Sequence, residues 1–159
     1  MPLILSLLLA AQITPMQPMP KGTGLPLADV DSAAVMAPVD RLFAGLAARD
    51  AAAISAQLRT DGGATIAIEK ADGSHVVRHL SWAEFTAGIK PGPEKYEERL
   101  TDPAIEVDGD IAMVWGNYTF FVDGKAQHCG VDHFDLVREA GAWKILNITW
   151  SQRTTGCGA

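Results

Sequence analysis

The sequence predicts an α+β fold in which helices come first and a curved, mostly antiparallel sheet follows. Two observations carry this prediction. Apolar residues recur with helical spacing between residues 31 and 49, and strand-like runs separated by short turns fill residues 96–153. The chain has 159 residues, of which 48% are hydrophobic and 20% are charged, a composition that suits one domain with a full core.

The first 28 residues are predicted to precede the domain, which we expect over residues 29–159. Residues 1–11 contain an apolar run that ends in small residues, as a secretory signal peptide does, and this run is too short to span a bilayer. We therefore expect a periplasmic or secreted protein without a stable membrane anchor, and a cytoplasmic one only if this run is not a signal. Residues 12–28 are rich in proline and glycine and predict a linker.

Two helices are predicted at the start of the domain. Residues 31–49 carry apolar side chains at the spacing of one helical face. Asp50 is the predicted N-cap of a shorter helix that runs to Leu58, and the glycine pair in Asp61-Gly-Gly63 is expected to end it.

The remaining elements are predicted from turn and capping signals. Ser81 and Glu84 have the spacing of a capping box, which predicts a third helix up to Ile89. The turn Ala71-Asp-Gly-Ser74 separates two short strands, and four longer strands follow the third helix. The six predicted strands cover residues 64–69, 75–79, 96–107, 111–122, 126–138 and 143–153.

Two stretches of the sequence resemble the nuclear transport factor 2-like superfamily. They are the helix pair from Arg41 to Ile54 and the closing pattern from Val131 to Ile145. The resemblance extends from Asp29 to the C-terminus and implies a curved sheet that helices wrap into a cone with an internal pocket. Because the superfamily includes ketosteroid isomerases, dehydratases, polyketide cyclases and small-ligand binders, the resemblance leaves the function open.

The stretch from Ala126 to Val137 holds two histidines, a cysteine and two aspartates, a set typical of metal or nucleophile sites. Successive side chains of a strand point to opposite faces, so His128 and Asp132 share one face while Cys129 and His133 share the other. The members of each pair are roughly 13 Å apart along a strand at about 3.3 Å per residue, too far to share one ion. We predict no metal site here, and no cofactor, since nucleotide-binding motifs are also missing from the sequence.

Hairpin turns determine the predicted register of the last three strands. The two-residue turn in Val122-Asp-Gly-Lys125 places Trp115 opposite Asp132, and a four-residue loop in the next hairpin places Thr149 opposite Asp132. The side chains that would line a ligand pocket on this face are Met113, Trp115, Asn117, Asp132, Phe134, Asn147 and Thr149.

Asp132 is the candidate general acid or base, because a carboxylate beside Trp115 in a water-poor pocket has its charged form disfavoured. The alternative is a structural carboxylate that hydrogen-bonds to Asn117, Thr149 or the indole of Trp115. The leading hypothesis is an exported domain that binds a small apolar or mixed-polarity molecule. The rivals are an isomerase, dehydratase or cyclase that uses Asp132, and a structural or accessory dimerisation module.

The opposite face of the sheet is predicted to be too apolar to remain bare, so we expect a second subunit to cover it in a homodimer, with helices or loops of the same chain as the alternative cover. Thirteen lysines and arginines against nineteen aspartates and glutamates give a net charge of -6, which argues against binding nucleic acid. The residues expected on this outer face are Val114, Tyr118, Val131, His133, Leu146, Ile148 and Trp150.

Cys129 and Cys157 form an even pair, which an oxidising compartment would allow to bridge. The disulfide would stabilise the domain by roughly 3–4 kcal/mol in the chain-entropy description. Two unpaired thiols are the alternative.

Overall fold

The computed structural model describes residues 29–158, and the predicted signal peptide and linker lie outside these residues. The described range contains three helices and six strands: α1 (Asp29–Ala48), α2 (Ala51–Ser55), β1 (Leu58–Glu69), β2 (His75–Ser81), α3 (Trp82–Ala87), β3 (Tyr96–Asp108), β4 (Ile111–Val122), β5 (Lys125–Glu139) and β6 (Ala142–Gln152). Within this range, no helix is long and apolar enough to cross a membrane.

The strands form one curved sheet in the order β2-β1-β6-β5-β4-β3. All neighbours are antiparallel except β1 and β6, which run parallel. The sheet stays open, and α1 packs across its concave inner face against β3 and β6. This arrangement confirms the predicted α+β class and the wrapped, mostly antiparallel sheet.

The helices begin where the capping signals predict. The Asp50 carboxylate accepts hydrogen bonds from the amides of Ala52 and Ala53 at 3.0 and 2.9 Å, which satisfies the first turn of α2. Ser81 and Glu84 form a reciprocal capping box at the start of α3. The inner core combines one face of α1 and Ile54 of α2 with the middle of the sheet: Val35, Val39, Leu42, Ile54, Phe134, Leu136, Ile145 and Ile148.

The predicted end of the second helix is wrong. α2 stops at Ser55, and Asp61, Gly62 and Gly63 belong to β1. A Cβ atom on Gly62 would overlap the carbonyl oxygen of Leu146 on β6. Gly62 therefore permits close contact between two parallel strands, a role that a sequence pattern cannot distinguish from helix termination.

The predicted register of the β4–β5 hairpin is correct at the turn and wrong beyond it. Val122 pairs with Lys125, as the turn predicts, but Gln127 is an extra residue on β5 that forms a bulge. Beyond the bulge, Trp115 pairs with His133 rather than with Asp132. A shift of one residue moves every later β4 side chain to the other face relative to β5.

The β5–β6 hairpin contains a second bulge. Leu136 pairs with Ile145 as predicted, Leu146 is the extra residue, and Asp132 then pairs with Trp150 instead of Thr149. Because of these two bulges, the predicted outer face is only partly correct. Three of its expected members lie there: Val131, His133 and Leu146. The other four pack on the inner side of the sheet: Val114, Tyr118, Ile148 and Trp150.

A disulfide joins Cys129 of β5 to Cys157 in the segment after β6, with their Cα atoms 5.5 Å apart. The amides and carbonyls of Cys129 and Arg153 also exchange two hydrogen bonds of 3.0 Å. The disulfide and this bridge hold the end of the described chain against β5, and a disulfide is consistent with an oxidising location.

Candidate functional site

A cavity of about 200 Å³ lies between the concave face of the sheet and the helices. Helix α1 contributes one wall, the α3 region another, and strands β3 to β6 the floor. Most of its surface is apolar. The residues that line it are Leu42, Leu46, Phe85, Ile89, Tyr96, Glu98, Tyr118, Phe120, His128, Asp132, Phe134, Ile148, Trp150 and Gln152.

Two carboxyl groups meet in this cavity. Asp132 projects inward from β5 and is only 3% exposed. Glu98 projects from β3, and its carboxyl group is close enough to that of Asp132 for one to donate a hydrogen bond to the other when protonated. The second carboxyl oxygen of Asp132, Oδ2, has no hydrogen-bond partner within the described chain.

The environment makes this pair hold protons tightly. Burial raises the pKa of Asp132 to about 9, and the nearby charge of Glu98 adds to the effect. Burial also raises the pKa of Glu98 to about 7, while its hydrogen bond with Asp132 acts in the opposite direction. Because the buried Asp132 carboxylate and the half-buried Glu98 carboxylate would repel each other, the pair retains a shared proton at neutral pH.

A phenol and an imidazole lie beside the carboxyl pair. The Tyr118 hydroxyl and His128 Nδ1 are 3.0 Å apart, and the His128 ring stacks on Phe120 with centroids 4.9 Å apart. Burial lowers the pKa of His128, which favours the neutral ring. The pKa of Tyr118 is raised, first by burial and then by the charges of Asp132 and Glu98, so its hydroxyl keeps its proton.

Aromatic rings form much of the remaining wall. Phe85 contacts Trp150 edge to face at 6.2 Å, and Tyr96 contacts Phe120 at 5.2 Å. Among the described side chains, none that lines the cavity is a lysine or an arginine. The cavity therefore combines an acidic polar centre with aromatic walls.

The structure brings only part of the predicted pocket together. Asp132 and Phe134 line the cavity. The five others are not among its lining residues: Met113, Trp115, Asn117, Asn147 and Thr149.

The bulges explain this difference, because they turn these β4 and β6 side chains toward the convex face. Trp115 is 50% exposed and packs against His133 with ring centroids 5.6 Å apart, while Asn117 and Thr149 are exposed. The Asn147 side chain accepts a hydrogen bond from the Gly63 amide. Neither Asn117 nor Thr149 therefore satisfies Asp132.

The sequence prediction missed Glu98 as a member of the site. A signal for it was present, because Glu98 lies between Tyr96 and Leu100 in alternation, which places an acid on the apolar side of a strand. Tyr118 was assigned to the wrong face, although Tyr118 and Phe120 alternate with the polar Asn117 and Thr119 in the way expected of an inward-facing strand.

Comparison with known sequences gives one family. Residues 30–151 match a family described as "Putative lumazine-binding". No curated protein matches the sequence.

Many solved structures share the fold. A Nostoc punctiforme protein of unknown function with a cystatin-like fold is 14% identical, with a TM-score of 0.61 over 82% of this chain and 97% of that chain. A nuclear transport factor 2-like protein from Cytophaga hutchinsonii is 13% identical, with a TM-score of 0.62 over 80% and 100%. A "Putative Scytalone Dehydratase" from Novosphingobium aromaticivorans is 11% identical, with a TM-score of 0.61 over 78% and 85%. Identities this low show the shared fold alone.

Proposed function

We propose, from the premise that the chain belongs to the family described as "Putative lumazine-binding" and to the nuclear transport factor 2-like superfamily, that its function is to bind a small molecule in the internal cavity. The observation that carries the proposal is the cavity itself, with apolar and aromatic walls around the Glu98–Asp132 pair. Its volume of about 200 Å³ is below the roughly 300–1,000 Å³ of drug-sized pockets, so the ligand is a compact one of one or two rings.

A cavity-filling variant tests this proposal. Ile89 is half-buried and lines the cavity just after α3, so Ile89→Trp should fill the space with little disturbance of the sheet. Native mass spectrometry of the purified protein, and NMR shifts on titration with indole, should detect a ligand in the wild type and none in the variant. Ile111→Trp, at a residue 59% exposed on the outer face, is the matched control. Equal binding by all three proteins would refute an internal site.

Proton transfer by Asp132 is the second candidate function. It is supported by the shared proton of the carboxyl pair, which at neutral pH offers both an acid and a base within one apolar cavity. An isomerase, dehydratase or cyclase would use this chemistry, and one protein of the same fold bears the dehydratase description above. Asp132→Asn should abolish turnover of such an enzyme, whereas a protein that only binds a neutral molecule should change in affinity by no more than a few fold.

A purely structural or accessory role is the third candidate. It requires a filled interior, and the cavity beside Asp132 argues against it. If the wild-type protein neither binds indole on titration nor carries a small molecule through purification, this role becomes the better explanation.

We further propose that the convex face of the sheet forms a homodimer. Trp115, half-exposed beside His133, and Ile111 are the apolar side chains that support this interface. Trp115→Glu should convert a dimer to a monomer in analytical ultracentrifugation, while Glu97→Gln on β3 should not. A wild type that sediments as a monomer would overturn the proposal.

Export to the periplasm or the medium is proposed from the disulfide and the N-terminal apolar run. Cell fractionation with an intact-mass measurement tests it. The exported chain should lack its first residues and contain no alkylatable thiol, and a full-length chain with two reactive thiols in the cytoplasm would refute the proposal.

A further inference from the structure

We propose that the ligand is a small aromatic or heteroaromatic organic cation whose charged nitrogen lies between the carboxyl groups of Glu98 and Asp132. This inference rests on the proposed small-molecule binding and names the ligand class for the same cavity. Three observations on the cavity support it: its charge, its unpartnered acceptor and its aromatic walls.

The charge of the lining is one-sided. Glu98 and Asp132 are its acidic groups, and the described lining residues include no lysine or arginine to neutralise them. The nearby Arg49 is already engaged, because its guanidinium lies over the Tyr96 ring at 4.0 Å and bonds Glu94 and the Tyr96 hydroxyl. A cationic ligand would supply the counter-charge that the protein itself does not place in the cavity.

Asp132 offers an acceptor that is free. Its Oδ2 atom is buried without a hydrogen-bond partner in the described chain, although buried polar atoms are nearly always paired. Once the proton that the pair shares has left, both carboxylates only accept hydrogen bonds, so a ligand that displaces this proton must carry N–H or O–H donors. An amidinium or protonated ring nitrogen donates such bonds and carries charge, which makes them shorter and stronger than neutral ones.

The walls suit a flat cation. Rings of Phe85, Tyr96, Phe120, Phe134 and Trp150 line the same cavity as the carboxyl pair, and aromatic faces attract cations within about 6 Å of the ring centre. A neutral ring would gain from the same apolar contacts, so the preference for charge must come from the carboxyl pair. A preference for a charged ring over a neutral one therefore distinguishes the proposed cation site from a cavity that binds aromatic molecules in general.

Binding of a cation has a proton signature. When the cation enters, it replaces the proton that the carboxyls share, so about one proton leaves near neutral pH. The other titratable groups near the pair are Tyr118, whose raised pKa keeps its hydroxyl protonated, and His128, whose lowered pKa favours the neutral ring. Tyr96 lines the same cavity, and the charge of Arg153 acts on Tyr118.

Benzamidinium and benzamide provide the test, because they have nearly the same shape and differ in charge. Isothermal titration calorimetry of the wild type, in two buffers of different ionisation enthalpy, gives affinity and proton release together. We expect benzamidinium to bind at least about tenfold more tightly than benzamide and to release about one proton. Glu98→Gln and Asp132→Asn should remove both effects, while Glu97→Gln, an outward-facing neighbour on β3, should retain them.

The outcomes separate this inference from the proposed function. Equal affinities, or tighter binding of benzamide, would overturn the cation preference while leaving small-molecule binding intact. If benzamidinium, benzamide and indole all leave the NMR signals of cavity residues unchanged, the proposed function itself fails. Should the carboxyl variants not fold, the proton release of the wild type decides the question, and binding without release would refute the inference.

Discussion

Replacing Asp132 with asparagine should flatten the dependence of stability on pH. Between pH 5 and pH 7 the Asp132 carboxyl is protonated in the folded protein, where its pKa is raised to about 9, and ionised in the unfolded chain, where the ordinary value is 3.8. The folded state therefore binds more protons than the unfolded state, and its stability falls as pH rises. One proton that only the folded state binds lowers the free energy of unfolding by about 1.4 kcal/mol per pH unit, or by about 2.7 kcal/mol between pH 5 and pH 7.

Urea unfolding at pH 5, 6 and 7 measures this difference. The wild type should lose about 2.7 kcal/mol more than Asp132→Asn across the interval, because asparagine carries no titrating proton. Because Glu98 and Asp132 are coupled, the comparison is repeated in the Glu98→Gln background, where Asp132 is the titrating member of the pair. Asp108→Asn, at the exposed end of β3, is the control and should follow the wild type. Parallel pH profiles for wild type and Asp132→Asn would refute the raised pKa.

Three further predictions concern stability. Gly130→Ala should destabilise the domain by more than about 3 kcal/mol or prevent folding, since the added Cβ would overlap the carbonyl oxygen of Ser151; an unchanged urea midpoint would contradict this packing. Replacing Cys129 and Cys157 together with serine should cost roughly 2–4 kcal/mol, and reductant should lower the midpoint of the wild type but not of the double variant. Asp50→Ala should cost about 1 kcal/mol through loss of the α2 cap, whereas Asp50→Ser should cost less, and equal losses would count against capping.

The element order and the caps were predictable because their causes are local. The hairpin turn at Val122–Lys125 was also predicted correctly, since Asp123 and Gly124 both adopt positive φ angles, 51° and 75°, that this turn chemistry favours. The bulges at Gln127 and Leu146 were not predicted, because nothing in either residue type marks an insertion into a strand pair. Register counted from a turn fails at the first bulge.

The alternation of polar and apolar residues was the better guide to which side chains face the cavity. In β6, the apolar Ile148 and Trp150 alternate with the polar Asn147 and Thr149, and the apolar pair faces inward. Within β5 the predicted division of faces agrees with the burial pattern, which places Asp132 inward. The proximity of the Asp132 and Glu98 carboxyl groups could not be predicted, because it depends on how the sheet curves across β3, β4 and β5.

The position of β6 in the sheet determines the order in which the domain can assemble. The β1–β2 hairpin and the β3–β4–β5–β6 meander form from contacts between neighbours in sequence. The two parts meet where β1 pairs with β6, and the paired residues Gly63 and Asn147 are 84 residues apart. Such long-range pairing is slow to form. The cavity takes its floor from β3 to β6 and its other walls from α1 and the α3 region, which come earlier in the chain. The ligand site is therefore expected to appear late in folding, when β1 pairs with β6 and the two parts of the chain come together.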